Sequence, residues 1–251
     1  MEWEDQAFVL QARRLEEGKM ILHLLTREQG RYAGVARLGR QQGQLVEPVS
    51  ECQARWSARL SEHLGTLSIE PVACHAARVF DDPLRLSALQ ALAQLLFEAL
   101  PEREPMPPLF DGVRAWLELL DSEFWPQALV KLELGLLASL GGALDLERCA
   151  VTGQGEGLTH VSPRTGRAVS AEAAAPYLES GRLLTLPAFL GGQDKGDEGQ
   201  DVVNGLILTG HFLARSVFHP VNRPLPPARA ALLQKLADSQ GIALADQSSG
   251  I

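Results

Sequence analysis

Ala7-Phe8-Val9-Leu10, Lys19-Met20-Ile21-Leu22-His23-Leu24-Leu25 and Tyr32-Ala33-Gly34-Val35-Ala36 are three apolar runs close together near the start of the chain. Between and after them lie Thr26-Arg27-Glu28-Gln29-Gly30-Arg31 and Arg37-Leu38-Gly39-Arg40-Gln41-Gln42-Gly43. Short apolar runs separated by glycine-bearing polar turns predict a strand meander, the beginning of a small antiparallel barrel rather than a set of helices. From Arg27 to Arg40 the meander holds four arginines and one glutamate, a local charge of +3 in a chain of net charge −8. Such an island suits a nucleic-acid surface or a set of solvated turns.

Working outward, the β character continues to about Val79. In Cys52-Gln53-Ala54-Arg55-Trp56-Ser57-Ala58-Arg59-Leu60 polar and apolar residues alternate, which gives one buried and one wet face. A further run, Gly65 to Val72, follows. Five strands in about 75 residues is the size of an OB-fold, which binds oligonucleotides on a strand face and its flanking loops. An SH3-like barrel has a similar pattern, and periodicity alone does not separate the two.

The middle of the chain changes character. Leu84 to Leu100 places Leu89, Leu92, Leu96 and Leu100 at helical spacing. Pro101, Pro105, Pro107 and Pro108 end that helix because proline lacks the amide donor. A second helix is predicted over Leu109 to Asp121, with Val113, Trp116, Leu117 and Leu120 on one face. A third follows Pro126 and stops at Gly141-Gly142. Further on, Leu158 to Val161 and Ala168 to Ser170 flank a Pro-Arg-Thr-Gly turn, a predicted hairpin. Helices return over Val202 to Phe218 and Ala228 to Ala237, while Gly191 to Gln200 reads as a mobile loop and Ser239 to Ile251 as a loose tail.

With 251 residues, 45% hydrophobic and 22% charged, the composition is that of a soluble globular protein. The first 80 residues have net charge 0, residues 81–142 −6 and the remainder −2. Acidity therefore belongs to the middle third, and a phosphate-binding surface is better placed towards the ends. Three widely spaced cysteines, Cys52, Cys74 and Cys149, make neither a disulfide framework nor a four-thiolate zinc site. Thr152 stands where a Cys-x-x-Cys knuckle beginning at Cys149 would have its second thiolate, and adding His160 still leaves fewer than the four ligands of structural zinc. The start Met-Glu-Trp-Glu-Asp has no signal-peptide character, and Leu84 to Leu100 is too polar for a membrane span. No phosphate-loop, dinucleotide or zinc-protease signature occurs. No catalytic residue, metal or cofactor is therefore expected, and the chain reads as a cytoplasmic, non-enzymatic protein.

Several strings, in their order and spacing, resemble the RecO family of bacterial recombination mediators. They include Gln6-Ala7-Phe8-Val9-Leu10, Leu24-Leu25-Thr26-Arg27-Glu28-Gln29-Gly30-Arg31 and Val35-Ala36-Arg37. Later come Leu132-Glu133-Leu134 through Leu140-Gly141, Leu144-Asp145-Leu146, and Cys149-Ala150-Val151-Thr152-Gly153. Val161-Ser162-Pro163 with Gly166-Arg167-Ala168-Val169-Ser170 and Leu186-Pro187-Ala188-Phe189-Leu190 complete the set. The resemblance implies an α+β chain: an OB-fold over residues 1–80, then a helical domain over 81–251 carrying a zinc-ribbon-like β insert at about 147–172. The insert's zinc ligands are reduced here to Cys149. The resemblance also implies RecF-pathway repair and recombination in the nucleoid. Its members bind and anneal single- and double-stranded DNA, contact the C-terminal tail of single-strand-binding protein, and work with RecR to load RecA.

The candidate DNA-binding residues are Arg27, Arg31, Arg37 and Arg40, helped by Arg55 and Arg59 on a strand face, with Trp56 or Tyr32 as base-stacking rings if exposed. Alternation with Arg55 places Trp56 in the core and leaves Tyr32 open. Lys131 matches a basic position of the family and is the candidate contact for an acidic, hydrophobic-ended peptide. Because Gln41, Gln42 and Gln44 follow Arg40 where the family is richer in lysine and arginine, the barrel is expected to bind DNA weakly on its own. The alternatives are a protein-binding repair scaffold and an OB-fold RNA-binding factor.

Overall fold

Strand pairing in the first seventy residues follows the predicted alternation. The computed structural model describes residues 1–16, 18–37, 46–60, 63–178, 183–193 and 197–244. Five strands, β1 (Glu2–Glu16), β2 (Lys19–Thr26), β3 (Gly30–Arg37), β4 (Glu51–Ser57) and β5 (Thr66–Ala73), close a barrel in the order β1-β2-β3-β5-β4. A continuous meander would set β4 beside β3. Here β5 lies there instead, parallel to β3 through Val35↔Thr66 and Ala36↔Leu67, while β4 pairs antiparallel with β1. That crossover is the OB-fold connection and removes the SH3-like alternative.

The barrel core holds Ala7, Val9, Leu22, Leu24, Ala54 and Ile69 around an aromatic cluster. Tyr32 and Trp56 meet edge to face at 5.0 Å, and Trp3 lies parallel to Trp56 at 6.0 Å. Edge-to-face and offset arrangements suit the quadrupoles of the rings. Trp56 is 1% exposed, and its indole Nε1 donates to the carbonyl of Leu64 at 3.0 Å. Gly65, at φ +70°, covers the same indole so closely that a Cβ would lie 2.4 Å from Trp56 Cε2.

The chain divides into two compact units, Met1–Asp121 with Pro226–Arg229, and Ser122–Leu225 with Ala230–Ile251. In the first, the barrel is joined by α1 (His75–Arg78), α2 (Pro83–Ala99) and α3 (Pro107–Glu118). The leucines predicted to face inward do so: Leu89, Leu92 and Leu96 of α2 are buried, as are Val113, Trp116 and Leu117 of α3. Phe8 of β1 packs on Phe110 of α3 with ring centroids 4.7 Å apart.

Asp82 caps α2, accepting hydrogen bonds from the N–H groups of Leu84 (2.9 Å) and Arg85 (3.0 Å), with Pro83 in the first turn. Partial burial works against its charged form, but the Arg85 N–H and guanidinium and the Leu84 N–H outweigh it and hold Asp82 below the usual carboxylate range. A depressed folded-state value means that this stabilisation is complete above the ordinary aspartate range and is lost as pH falls through the folded value. Asp82→Ala is therefore expected to cost about 1 kcal/mol at neutral pH. In urea titrations the gap between variant and parent should narrow as the medium is acidified below about pH 4.

In the second unit, α4 (Trp125–Ser139) packs on α6 (Glu198–Leu213), and the buried Glu133 accepts the hydroxyl proton of Thr209 between them. A small sheet of order β7-β6-β8 comprises β6 (Leu158–Val161), β7 (Ala168–Ser170) and β8 (Leu184–Thr185). Between β7 and β8 lies α5 (Ala171–Leu178), and α7 (Pro227–Ser239) closes the described helices. Beyond α6 the helix widens into a π turn, Ala214–Phe218. From that turn Arg215 donates to the carbonyls of Pro163 and Arg164, so the tip of the β6–β7 hairpin is pinned. α6 starts inside the segment predicted as a mobile loop, because Asp197 caps it through the N–H of Gly199. Residues beyond 244, predicted as tail, lie outside the described residues.

Candidate nucleic-acid interface

The arginines of the meander part company because β2 and β3 are antiparallel. Thr26↔Gly30 closes one end of the pair and Lys19↔Arg37 the other. Seven residues of strand set the two ends roughly 20 Å apart. Arg27 and Arg31 sit at the first end, Arg37 at the second.

The first end is fastened to the helices of the same unit. Arg27 forms two parallel bonds to Asp111 of α3, Nε to Oδ1 and Nη2 to Oδ2, each 3.0 Å, and also pairs with Glu28. Arg31 donates from Nε to the Leu100 carbonyl at 2.8 Å and pairs with Glu102 at 3.3 Å. Its guanidinium lies over the Phe97 ring, 5.4 Å from the centroid. The turn between them is equally fixed. Thr26 Oγ1 donates to the Gly30 carbonyl, and buried Asp5 accepts the Glu28 N–H at 2.7 Å. Gly30, at φ +73°, lets the backbone of Glu104 approach so that a Cβ would stand 2.2 Å from its carbonyl oxygen.

Arg31 thus anchors the end of α2 to β3. Arg31→Met, which keeps the stem over Phe97 but removes the charge and donors, is expected to cost about 1.5–3 kcal/mol in urea unfolding. The same variant should leave the salt dependence of any DNA binding unchanged.

α2 also covers half of the outer face of β2 and β3. His23 meets Phe97 edge to face at 4.8 Å. Burial, with Arg31 nearby, holds His23 below its ordinary value, so a neutral ring packs there.

The other half of the face is open. Across four strands the register sets Arg13–Ile21–Val35–Thr66 in one row, and beside it lie Lys19 and Arg37. Leu15, Lys19, Val35, Arg37, Thr66 and Leu67 line one cleft. A second cleft shares Val35 and Thr66 and adds Arg59, His63 and Leu64 from the β4–β5 loop. The β2–β3 face, the β1–β2 loop and the β4–β5 loop are where OB-folds bind nucleic-acid strands. Arg13, Arg14, Arg37 and Arg59 are exposed and form no ion pair among the described residues, whereas Lys19 is paired with Glu16. Arg13, Arg14, Lys19 and His63 were not picked out in the sequence; the signal was Arg13-Arg14 at the end of a strand, legible once β1 is known to outrun its neighbours.

The remaining sequence candidates fall elsewhere. Arg55 lies on the outer face of β4 and is held by Glu4 at 3.2 and 2.7 Å, with Glu70 on the neighbouring strand. Arg40 lies outside the described residues. Trp56 and Tyr32 are both buried, so neither offers a ring to a base. Lys131 is exposed on α4 in the other unit.

The β insert holds no zinc-like donor set. Cys149 is buried, and its sulfur accepts the N–H groups of Ser170 (3.3 Å) and Thr152 (3.5 Å). Thr152 occupies the place of a second thiolate. Among the described residues no three His, Cys, Asp or Glu side chains converge on a metal position. Hydrogen bonds and packing hold this hairpin, and the residues present do not fit a structural zinc ion.

Two family models match the chain: "Recombination protein O N terminal" over residues 1–75 and "Recombination protein O C terminal" over 81–224. A DNA repair protein RecO of Phenylobacterium zucineum is 48% identical over 242 residues, covering 95% of this chain and 99% of that one. RecO of Caulobacter sp. strain K31 is 44% identical over 244 residues, with 95% and 99% coverage. RecO of Rhodospirillum centenum is 46% identical over 240 residues, 94% of each chain. Among the described residues no helix is long and apolar enough to cross a membrane.

Proposed function

Because this chain belongs to the RecO family of DNA repair proteins, we propose that it binds DNA on the open half of its barrel face and acts as a recombination mediator of the RecF pathway. The observation that carries this reading is the pair of joined clefts lined by Arg37 and Arg59, with Arg13 in the same strand row as Val35, on the strand face and loops that OB-folds use. Guanidinium groups that form no ion pair among the described residues are available to phosphates, and each contact gains by releasing counterions. Lys19 would have to leave Glu16 to join.

In this role the chain anneals complementary strands and, together with RecR, helps RecA load on DNA coated with single-strand-binding protein, in the cytoplasm at the nucleoid. Docking of that protein's acidic, hydrophobic-ended tail is assigned to the α4 surface. Exposed Phe124 precedes Lys131 by two helical turns, so ring and cation lie on one face, roughly 10 Å apart. An acidic peptide ending in an apolar side chain matches that pair.

One observation favours the protein-binding scaffold instead: Arg27, Arg31 and Arg55 are all engaged internally, which leaves few cations for phosphate. Polarisation titrations with labelled oligothymidylate at several salt concentrations separate the readings. Three or four phosphate contacts predict a slope of log K against log salt of about −2 to −3. Undetectable binding at low salt, with retained binding of the acidic tail peptide, would replace the DNA-binding reading by the scaffold.

A further inference from the structure

Resting on the reading that the open barrel face binds DNA, we infer that it grips the sugar–phosphate backbone alone and leaves the bases turned outward, free to pair. Proteins that hold single strands usually combine a cationic groove with aromatic rings on which bases stack, and each stacked base contributes about 5- to 150-fold in affinity. This face has the first component without the second. No Phe, Tyr or Trp is among the residues lining either cleft.

Apart from Phe80, which is exposed between α1 and α2 and lines neither cleft, the rings of this unit are buried or committed to other contacts. Trp3, Tyr32 and Trp56 pack on one another inside the barrel. Phe8 and Phe110 pack together, and Phe97 is held between His23 and Arg31. Residues 38–45, Leu-Gly-Arg-Gln-Gln-Gly-Gln-Leu, and residues 61–62, Ser-Glu, contain no aromatic side chain in the sequence.

What the face does present is a short aliphatic strip, Ile21 and Val35, with Thr66 beside it. Guanidinium groups stand at both ends, Arg37 and Arg13 at the β1–β2 end and Arg59 on the β4–β5 loop. Aliphatic side chains can cover the apolar face of a deoxyribose but offer no π surface to a base. Cations at both ends of the strip favour a backbone laid along it. With its phosphates turned inward, a strand held this way directs its bases to solvent. A duplex also presents its phosphates outward, so the face that holds a single strand can go on holding it after the complement has paired.

The test compares three fluorescent probes of equal length on the full chain: oligothymidylate, an abasic tetrahydrofuran–phosphate chain, and oligothymidylate with uncharged methylphosphonate linkages. The expected result is that the abasic chain binds within about threefold of oligothymidylate, while the methylphosphonate loses about thirtyfold or more. Permanganate should oxidise the thymines of bound oligothymidylate as fast as those of the free strand. Loss of abasic binding by tenfold or more, or protection of thymines, with oligothymidylate still bound, overturns the backbone-only mode and leaves DNA binding standing. Failure of oligothymidylate itself to bind at low salt overturns the DNA-binding reading and this inference with it.

Discussion

Trp56→Ala is expected to destabilise the barrel by about 3–5 kcal/mol, the range for removing a large buried aromatic side chain. The indole is 1% exposed and contacts Tyr32 and Trp3 on two sides. Backbone covers it at Gly65, where no Cβ fits, so the walls of the cavity have little room to close in. Hydrogen exchange of β4 and β5 amides checks this directly, because it reports opening of the barrel regardless of how the second unit unfolds. Trp56→Phe separates packing from tethering. It keeps most of the apolar volume but loses the Nε1 bond to the Leu64 carbonyl, for an expected cost of about 1–3 kcal/mol. That bond ties the β4–β5 loop, which carries Arg59 and His63, to the core. DNA affinity in Trp56→Phe should therefore fall severalfold under conditions in which the barrel remains folded. An unchanged affinity would detach the loop from the interface.

The barrel was legible because its rules are local. Alternation in Gln53 to Leu60 placed Trp56 inward, and glycine-bearing turns separated the strands. Apolar residues at helical spacing located α2 and α3, with Pro101, Pro105, Pro107 and Pro108 marking the break between them, while the Asp82 cap was not read. Closure was not legible: the parallel contact of Val35 with Thr66 joins residues far apart in sequence and leaves no periodic trace. The same limit governed the interface. Arg27, Arg31 and Arg37 are near neighbours in the chain and look like one basic patch, yet antiparallel pairing sends them to opposite ends of the sheet. What decides each arginine's role is its partner. Asp111 and the Leu100 carbonyl come from helices 69 to 84 residues away, and those pairings cannot be read from a charge count. Conversely, Arg13 gains significance because β1 extends past β4 to pair with β2, which sets it in the row of Ile21 and Val35 on the face that also carries Arg37.

That redistribution of arginines leads to the largest functional effect. Replacing Arg13, Arg37 and Arg59 together by alanine is expected to weaken single-stranded DNA binding on the order of 100-fold at 0.1 M salt. It should also flatten the salt slope by about two units, since each lost phosphate contact removes about 0.7 from the single-strand slope. None of the three forms an ion pair among the described residues, and all are exposed. Their removal strands no buried partner, so stability should change by less than about 0.5 kcal/mol. The contrasting set is Arg27, Arg31 and Arg55. Arg27 and Arg55 are held by Asp111 and Glu4, and Arg31 by Glu102 and a backbone carbonyl. Alanine at those three positions should lower the urea midpoint, chiefly through Arg31, while the salt slope of the folded protein stays unchanged. Overall charge changes by three in both triple variants, so a non-specific effect of net charge would move the two slopes alike. Only a localised phosphate site separates them. If the slopes move together, the joined clefts are not the site of DNA contact, and the cations of the second unit, Lys131 among them, become the next to test.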